Sequence, residues 1–366
     1  MNGDVRRPLL RALAEPGTMA RLSEAQWDLV LRQARAAGVL GRLGALARDA
    51  GVDAALPGPV HRAMTAWLTV SDAQRRTVAW EMQQLAHDLA DLPGPILLLK
   101  GAAYAAGDLA PARGRVFADI DLMVPGSQLG QAELGLMLGG WAVAPMSAYD
   151  QRYYRQWMHE LPPMSHLRRR TSLDLHHGLL PRTARLRVRS ELVFERAMPL
   201  PGQPRLSVPC PEDLVLHSAV HLMHEGEWGH GLRDLTDLDA LLRQFAAGPG
   251  FWERLLARAA ELGAGRPLDH ALRNCSRLLG TPVPADVPAA CPDRTGQRVR
   301  PAIDAVLDAA LGSTHPSWRT PLTPAAEFAM YVRSHWLRMP AHLLVAHLLR
   351  KAWQARVQPL FDRQPP

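Results

Sequence analysis

The run Arg115-Val-Phe-Ala-Asp-Ile-Asp-Leu-Met-Val124 limits what this chain can fold into more than any other stretch. Asp119 and Asp121 stand two residues apart in a segment that alternates as a strand does, and residues i and i+2 of a strand point to the same face. Both carboxylates are therefore expected on one side, with Ile120, Leu122 and Val124 entering a core on the other. Like charges side by side repel, and an apolar strand tolerates them best with a divalent cation between them. The pattern reads as a Mg2+ clamp on a rigid element, a device that holds a nucleotide's phosphates. Taken alone, an Asp-x-Asp pair is also compatible with a solvated face or a turn flank.

Its neighbours in sequence narrow the reading. Pro95-Ile-Leu-Leu-Leu-Lys-Gly-Ala-Ala-Tyr104 reads as a short apolar strand ending in Lys100-Gly101. Gly101 would let backbone approach a ligand, and the helix expected next would aim its first amides at an anion. Downstream, Thr171-Ser-Leu-Asp-Leu-His-His177 alternates again, adding Asp174 as a third carboxylate with His176 on its face. The ordered set Lys100-Gly101, Arg115, Asp119, Asp121 and Asp174-Leu-His176 resembles the DNA polymerase β-like nucleotidyltransferase superfamily. More narrowly, it is similar to a family of uncharacterised bacterial nucleotidyltransferases that carry Lys-Gly, then Asp-Ile-Asp-Leu, then Asp-Leu-His. The resemblance covers about residues 80–245.

That resemblance implies an α+β fold: a nucleotidyltransferase palm, a small mixed sheet with helices, flanked by N-terminal and C-terminal helical regions. The boundaries expected are 1–92, 93–200 and 201–366. The activity implied is Mg2+-dependent transfer of an NMP from an NTP such as ATP to a hydroxyl. Asp119, Asp121 and Asp174 would hold two Mg2+ ions, and Asp174 would also serve as general base. Lys100, Gly101, Arg115 and His176 would meet the nucleotide, arginine binding phosphate in a fork and lysine as a point charge, while Arg113 is a further triphosphate candidate that also reads as an ordinary surface arginine. Many superfamily members have Gly-Ser where this chain has Gly101-Ala102, which leaves phosphate contact to backbone and Lys100. A small molecule or a protein is favoured as acceptor, an RNA end is not excluded, and base preference and oligomeric state are left open. Two other readings stay beside this one: a non-catalytic nucleotide- or partner-binding module of the same fold, and a metal hydrolase.

The hydrolase reading rests on His217, His221 and His224, which share a helical face at i, i+4 and i+7, a spacing able to ligate zinc. The residue after His217 is Ser218, so the metalloprotease His-Glu-x-x-His is missing, and further ligands would have to come from Glu225, Glu227 or His230. The same face could simply line the cleft, where the resemblance places His221 and Asp237.

Composition adds bounds. The net charge is +7, yet of 42 basic residues only Lys100 and Lys351 are lysines, a bias that codon usage of a GC-rich genome explains as well as nucleic-acid binding does. Against such a bias, a lysine at the glycine turn suggests that a compact ammonium is preferred there. No apolar run approaches the ~20 residues of a membrane span. Met1–Arg7 lacks the apolar core of a signal peptide, and three dispersed cysteines fit a reducing cytoplasm, so a cytoplasmic protein is expected.

Along the chain, Ser23 reads as a helix N-cap. A long amphipathic helix is expected from about 60 to 92, turning Met64, Trp67, Val70, Val78, Met82, Leu85 and Leu89 to one side. Strands are expected at 96–99, 115–124, 141–145 and 171–177, and helices at 102–109, at 127–138 and from Pro211 onward. The segment 159–166, with Pro162 and Pro163, reads as an edge strand or a loop.

Overall fold

Four helices precede the first strand: α1 (Arg7–Ala14), α2 (Glu24–Ala36), α3 (Leu40–Asp49) and α4 (Gly58–Asp88). The computed structural model describes residues 6–224, 228–293, 295–296, 298–345, 348 and 350. Ser23 caps α2 as expected: its hydroxyl accepts from the Gln26 amide at 3.3 Å and its amide donates to the Gln26 side chain at 2.9 Å. The inward stripe of α4 is Val60, Met64, Leu68, Ser71, Val78, Met82 and Leu85. Trp67 and Val70, expected in that stripe, are exposed instead.

The palm follows: β1 (Ile96–Leu99), α5 (Lys100–Ala106), β2 (Ile120–Met123), α6 (Leu129–Leu138), β3 (Trp141–Val143), α7 (Ala148–Trp157), β4 (Met164–His166), β5 (Ser172–His176), β6 (Met198–Leu200) and β7 (Gln203–Val208). The strands form one mixed sheet in the order β3-β4-β5-β2-β1-β7-β6. β1 and β2 are antiparallel, β2 and β5 parallel, with Leu99 opposite Asp121 and Asp121 opposite Asp174. All four residues of β1 are buried, so apolar side chains fill both faces at the sheet centre.

Several expectations need correction. β2 begins at Ile120, not 115, because α4 takes the backbone just before it. Ser71 donates to the Arg115 carbonyl at 2.7 Å, the Phe117 amide donates to Gln74 Oε1 at 2.6 Å, and Gln74 Nε2 donates back to the Phe117 carbonyl. Asp119 thus lies just ahead of the strand. The segment 159–166 is neither edge nor loop throughout. Glu160 bridges His176, and β4 is an interior strand between β3 and β5, the two prolines falling in the link before it where no ladder donor is needed. The hairpin β6–β7 was not anticipated; β7 pairs with β1, so the sheet runs past residue 200.

Lys100 opens α5 with φ of 43°, a left-handed value that costs a non-glycine residue about 1–2 kcal/mol and turns the chain sharply out of β1. Gly114 (φ 75°) lies backbone to backbone against Gly41 of α3, where a Cβ on either would strike the other's carbonyl. This contact fixes the approach to Arg115.

Helices α8 (Pro211–His224), α9 (Gly231–Phe245), α10 (Phe251–Leu262), α11 (Gly265–Leu279), α12 (Val287–Ala290), α13 (Arg300–Ala310) and α14 (Thr323–Arg338) follow the sheet. Leu9 of α1, Leu98 of β1, Leu216 of α8 and Leu272 of α11 belong to one continuous apolar core. Among the described residues no helix is long and apolar enough to cross a membrane.

α8 is anchored by a buried ion pair. Arg258 Nε and Nη2 donate to the two Asp213 oxygens at 2.7 and 2.8 Å, and Nη2 also reaches the Leu192 carbonyl at 2.8 Å. Removing one partner strands a buried charge. Asp213→Ala is therefore expected to cost about 3–5 kcal/mol, and the double change Asp213→Leu with Arg258→Met distinctly less, as urea unfolding would read. Equal losses in the single and double variants would show that the pair is not what holds α8.

Candidate active site

Asp121 is the centre of the site. Its side chain is 2 % exposed, and its Oδ1 accepts from Lys100 Nζ at 2.8 Å and lies 3.0 Å from His176 Nε2. Each partner follows from the sheet register: Lys100 follows Leu99, which faces Asp121 on β1, and His176 stands two residues beyond Asp174 on β5. Burial opposes the Asp121 charge, but Lys100 and then His176 outweigh it and hold the carboxyl well below the usual range. Burial likewise opposes the Lys100 ammonium, and Asp121 more than compensates, keeping it above the usual lysine range.

The other two carboxyls behave oppositely. Burial, then the charges of Asp121 and Glu160, push Asp174 up to about 7. Asp119 is raised by burial and then by Asp121, against Lys100 and Arg115. Asp121 thus works against the charge of both neighbouring carboxyls, a repulsion that a divalent ion between them would relieve. One ligand atom each from Asp121, Asp174 and His176 lie within 4.8 Å of one another. Asp119 lines the same cleft and, among the described residues, stands outside that group. Repulsion by Asp121 and its place ahead of the strand account for the separation.

These groups open onto a cleft of about 600 Å³, walled on the far side by Ser218 and His221 of α8 and by Arg233, Asp234 and Asp237 of α9. Arg115 is inside it, paired to Asp237 and set over the Tyr104 ring at 5.5 Å. Arg233 is paired with Asp234 at 2.9 Å. Gly101 also lines the cleft, but its Cα abuts the Phe117 ring, so a side chain there would displace Phe117. Arg113 does not reach the cleft; it forks onto Asp49 at the surface, at 2.6 and 2.8 Å.

His221 and Asp237 do line the cleft. The three helix histidines nevertheless do not gather. His217 is buried beside His221 with ring centroids 6.4 Å apart, while His224 donates to the Val220 carbonyl at 3.1 Å in the core. Among the described residues they form no metal-holding group, and Glu225 and Glu227 lie outside those residues. Three contributors escaped sequence reading: Glu160, Tyr153 and Tyr154. Glu160 follows His159 and precedes two prolines, a pattern with no periodicity to flag it. The tyrosines stand in α7, where half-buried Tyr149, Tyr153, Tyr154 and Trp157 concentrate in one helix, a compositional signal that could have been used.

The raised Asp174 carboxyl has a thermodynamic consequence. In the metal-free protein the folded state keeps a proton that the unfolded chain, with a carboxyl near about 3.9, has released. Between about 4 and 7 the folded state binds more protons, so this group's contribution to stability declines as pH rises through that window. Asp174→Asn is therefore expected to melt above the wild type at pH 8 in chelator, the gap narrowing as pH falls toward 4. A gap independent of pH in paired thermal melts would contradict the assignment.

Neither a curated protein nor a solved structure matches the chain. The family model described as "Uncharacterised nucleotidyltransferase" matches residues 23–280, well over half of it and all of the cleft's strands. A divalent metal fits the acidic and imidazole donors found here, and nucleotidyl transfer is the general activity such membership carries. By that match and by the mixed sheet that sets Asp121 beside Asp174, the chain belongs to the uncharacterised nucleotidyltransferase family.

Proposed function

We propose that the chain is a Mg2+-dependent enzyme that transfers an NMP from an NTP to a hydroxyl of a small molecule or a protein. The observation that carries this reading is the register of β2 and β5, which sets Asp121 directly opposite Asp174 at the floor of a cleft that Lys100 and Asp119 also line. Carboxylate oxygens are the donors Mg2+ prefers, and Asp119, Asp121 and Asp174 all line this one cleft. Asp119, Asp121 and Asp174 would hold the metal. Two Mg2+ ions, when bound, would supply charge stabilisation at the attacking and leaving oxygens.

The residues divide the remaining work. Asp174, on the strand beside Asp121 and lining the cleft, would take the proton of the acceptor hydroxyl as that oxygen attacks the α-phosphorus. The new oxygen–phosphorus bond forms as the α–β bridging bond breaks, and pyrophosphate departs. Lys100 holds Asp121 in place and presents its ammonium to the cleft, where Arg115 and Arg233 add positive charge toward the triphosphate. His176 fixes the same Asp121 oxygen from the other side, leaving the second oxygen for the cation.

Label position tests the reaction class. With Mg2+ and an NTP, label at the α-phosphate should pass to an acceptor or to NMP while the rest leaves as pyrophosphate. Release of inorganic phosphate from the γ position instead would overturn the reading. Asp119→Asn is the cleanest site variant, because Asp119 makes no part of the Asp121–Lys100–His176 cluster. It should fold normally and lose Mg2+-dependent ATP binding by at least about tenfold in calorimetry, and unchanged binding would remove Asp119 from the metal site. Lys100→Ala removes both the partner of Asp121 and a charge that faces the cleft, and should weaken ATP more than adenosine. Equal weakening of both would assign Lys100 a purely structural part.

A further inference from the structure

A second cluster of ligating side chains adjoins the carboxylates and shares only His176 with the residues given roles in the proposed transfer. The link between α7 and β4 runs beside the end of β5: the His177 amide donates to the His159 carbonyl at 2.8 Å, the Leu161 amide to the Leu175 carbonyl at 2.9 Å, and Glu160 bridges His176. This pairing holds His159 and Glu160 against His176. Glu160 Oε2 lies 3.8 Å from His159 Nε2 and 3.5 Å from His176 Nδ1, and one ligand atom from each of the three residues lies within 4.8 Å of the others. Among the described residues, His159 Nδ1 is buried without a hydrogen-bond partner.

The separations are informative. Both exceed the range of an N–H···O hydrogen bond, about 2.7–3.2 Å. They approach the ~3–3.5 Å between donor atoms that share one metal at bond lengths of about 2.1 Å. We propose that His159, Glu160 and His176 form a second metal site, taking a borderline transition ion such as Zn2+. Two imidazoles and one carboxylate suit that class of ion, whereas Mg2+ selects all-oxygen donors. His176 joins the two centres: its Nδ1 faces Glu160 and its Nε2 faces Asp121. A bound ion on the Nδ1 side would lock the imidazole that orients Asp121, which makes the site a positioning device for the carboxylate centre and separates it from the α8 histidines.

The experiment reads metal without nucleotide, so its outcome is independent of whether NMP transfer occurs. Chelator-stripped full-length protein is titrated with Zn2+ by calorimetry in millimolar Mg2+. One equivalent should bind, with His159→Ala and Glu160→Gln each losing at least about tenfold in affinity, while Asp174→Asn and His221→Ala bind as the wild type does. Should a ligand variant fold poorly, Co2+ substituted into the wild type should show the absorption of a mixed nitrogen–oxygen site, displaced by one equivalent of Zn2+. The proposal is overturned by no Zn2+ uptake, by uptake undiminished in both His159→Ala and Glu160→Gln, by loss in Asp174→Asn, which would move the ion to the carboxylates, or by loss in His221→Ala, which would move it to α8.

Discussion

The burial of the Asp121 carboxylate is the constraint around which the palm is organised. An ion at 2 % exposure in the middle of a sheet costs several kcal/mol unless charge and hydrogen bonds meet it. Here an ammonium and an imidazole converge on a single oxygen, and each arrives by a different strand. Lys100 requires the sharp left-handed turn at the end of β1, and His176 requires β5 to run parallel to β2 in the observed register. A slip of one residue in either pairing would turn Lys100 or His176 to the opposite face and leave Asp121 without compensation.

The helical layers serve the same centre. α4 intercepts the backbone of 115–117, so that β2 begins only at Ile120 and Asp119 stays ahead of the strand. α3 meets that loop through Gly41 and Gly114, and α9 receives Arg115 through Asp237. One wall of the cleft is thus supplied by sheet residues with fixed positions, and the other by helices held through buried ion pairs such as Asp213 with Arg258. Preorganised groups of this kind suit phosphoryl chemistry, where positioning and electrostatics do most of what the protein contributes.

Much of this was legible in the sequence where periodicity carried it. The apolar run 96–99, Ile120 and Asp121 of the Asp-Ile-Asp run and the later Asp-Leu-His all lie in neighbouring strands of the sheet, with Asp119 just ahead of its strand. What periodicity cannot report is a partner. It gave no sign that Lys100 pairs with Asp121 or that Arg115 pairs with Asp237. It extended β2 to 115, since nothing local shows that Gln74, some forty residues away, takes the Phe117 backbone. β7 went unseen because Pro204 and Arg205 interrupt its apolar pattern, and β4 was read as an edge strand or a loop because two prolines stand just before it. The α8 histidines have the spacing of a metal site, yet tertiary packing sends His224 into the core.

The most direct test of the account is where a divalent ion sits when nucleotide is present. Crystals grown with Mn2+ and a non-hydrolysable NTP, measured at a wavelength where manganese scatters anomalously, locate the ion without reference to activity. The account predicts a peak bridged by Asp119, Asp121 and Asp174, with the α-phosphate beside it and Asp119 drawn in from its position outside the Asp121–Asp174–His176 group. Manganese absent from these carboxylates, with the nucleotide bound elsewhere on the protein, would contradict it.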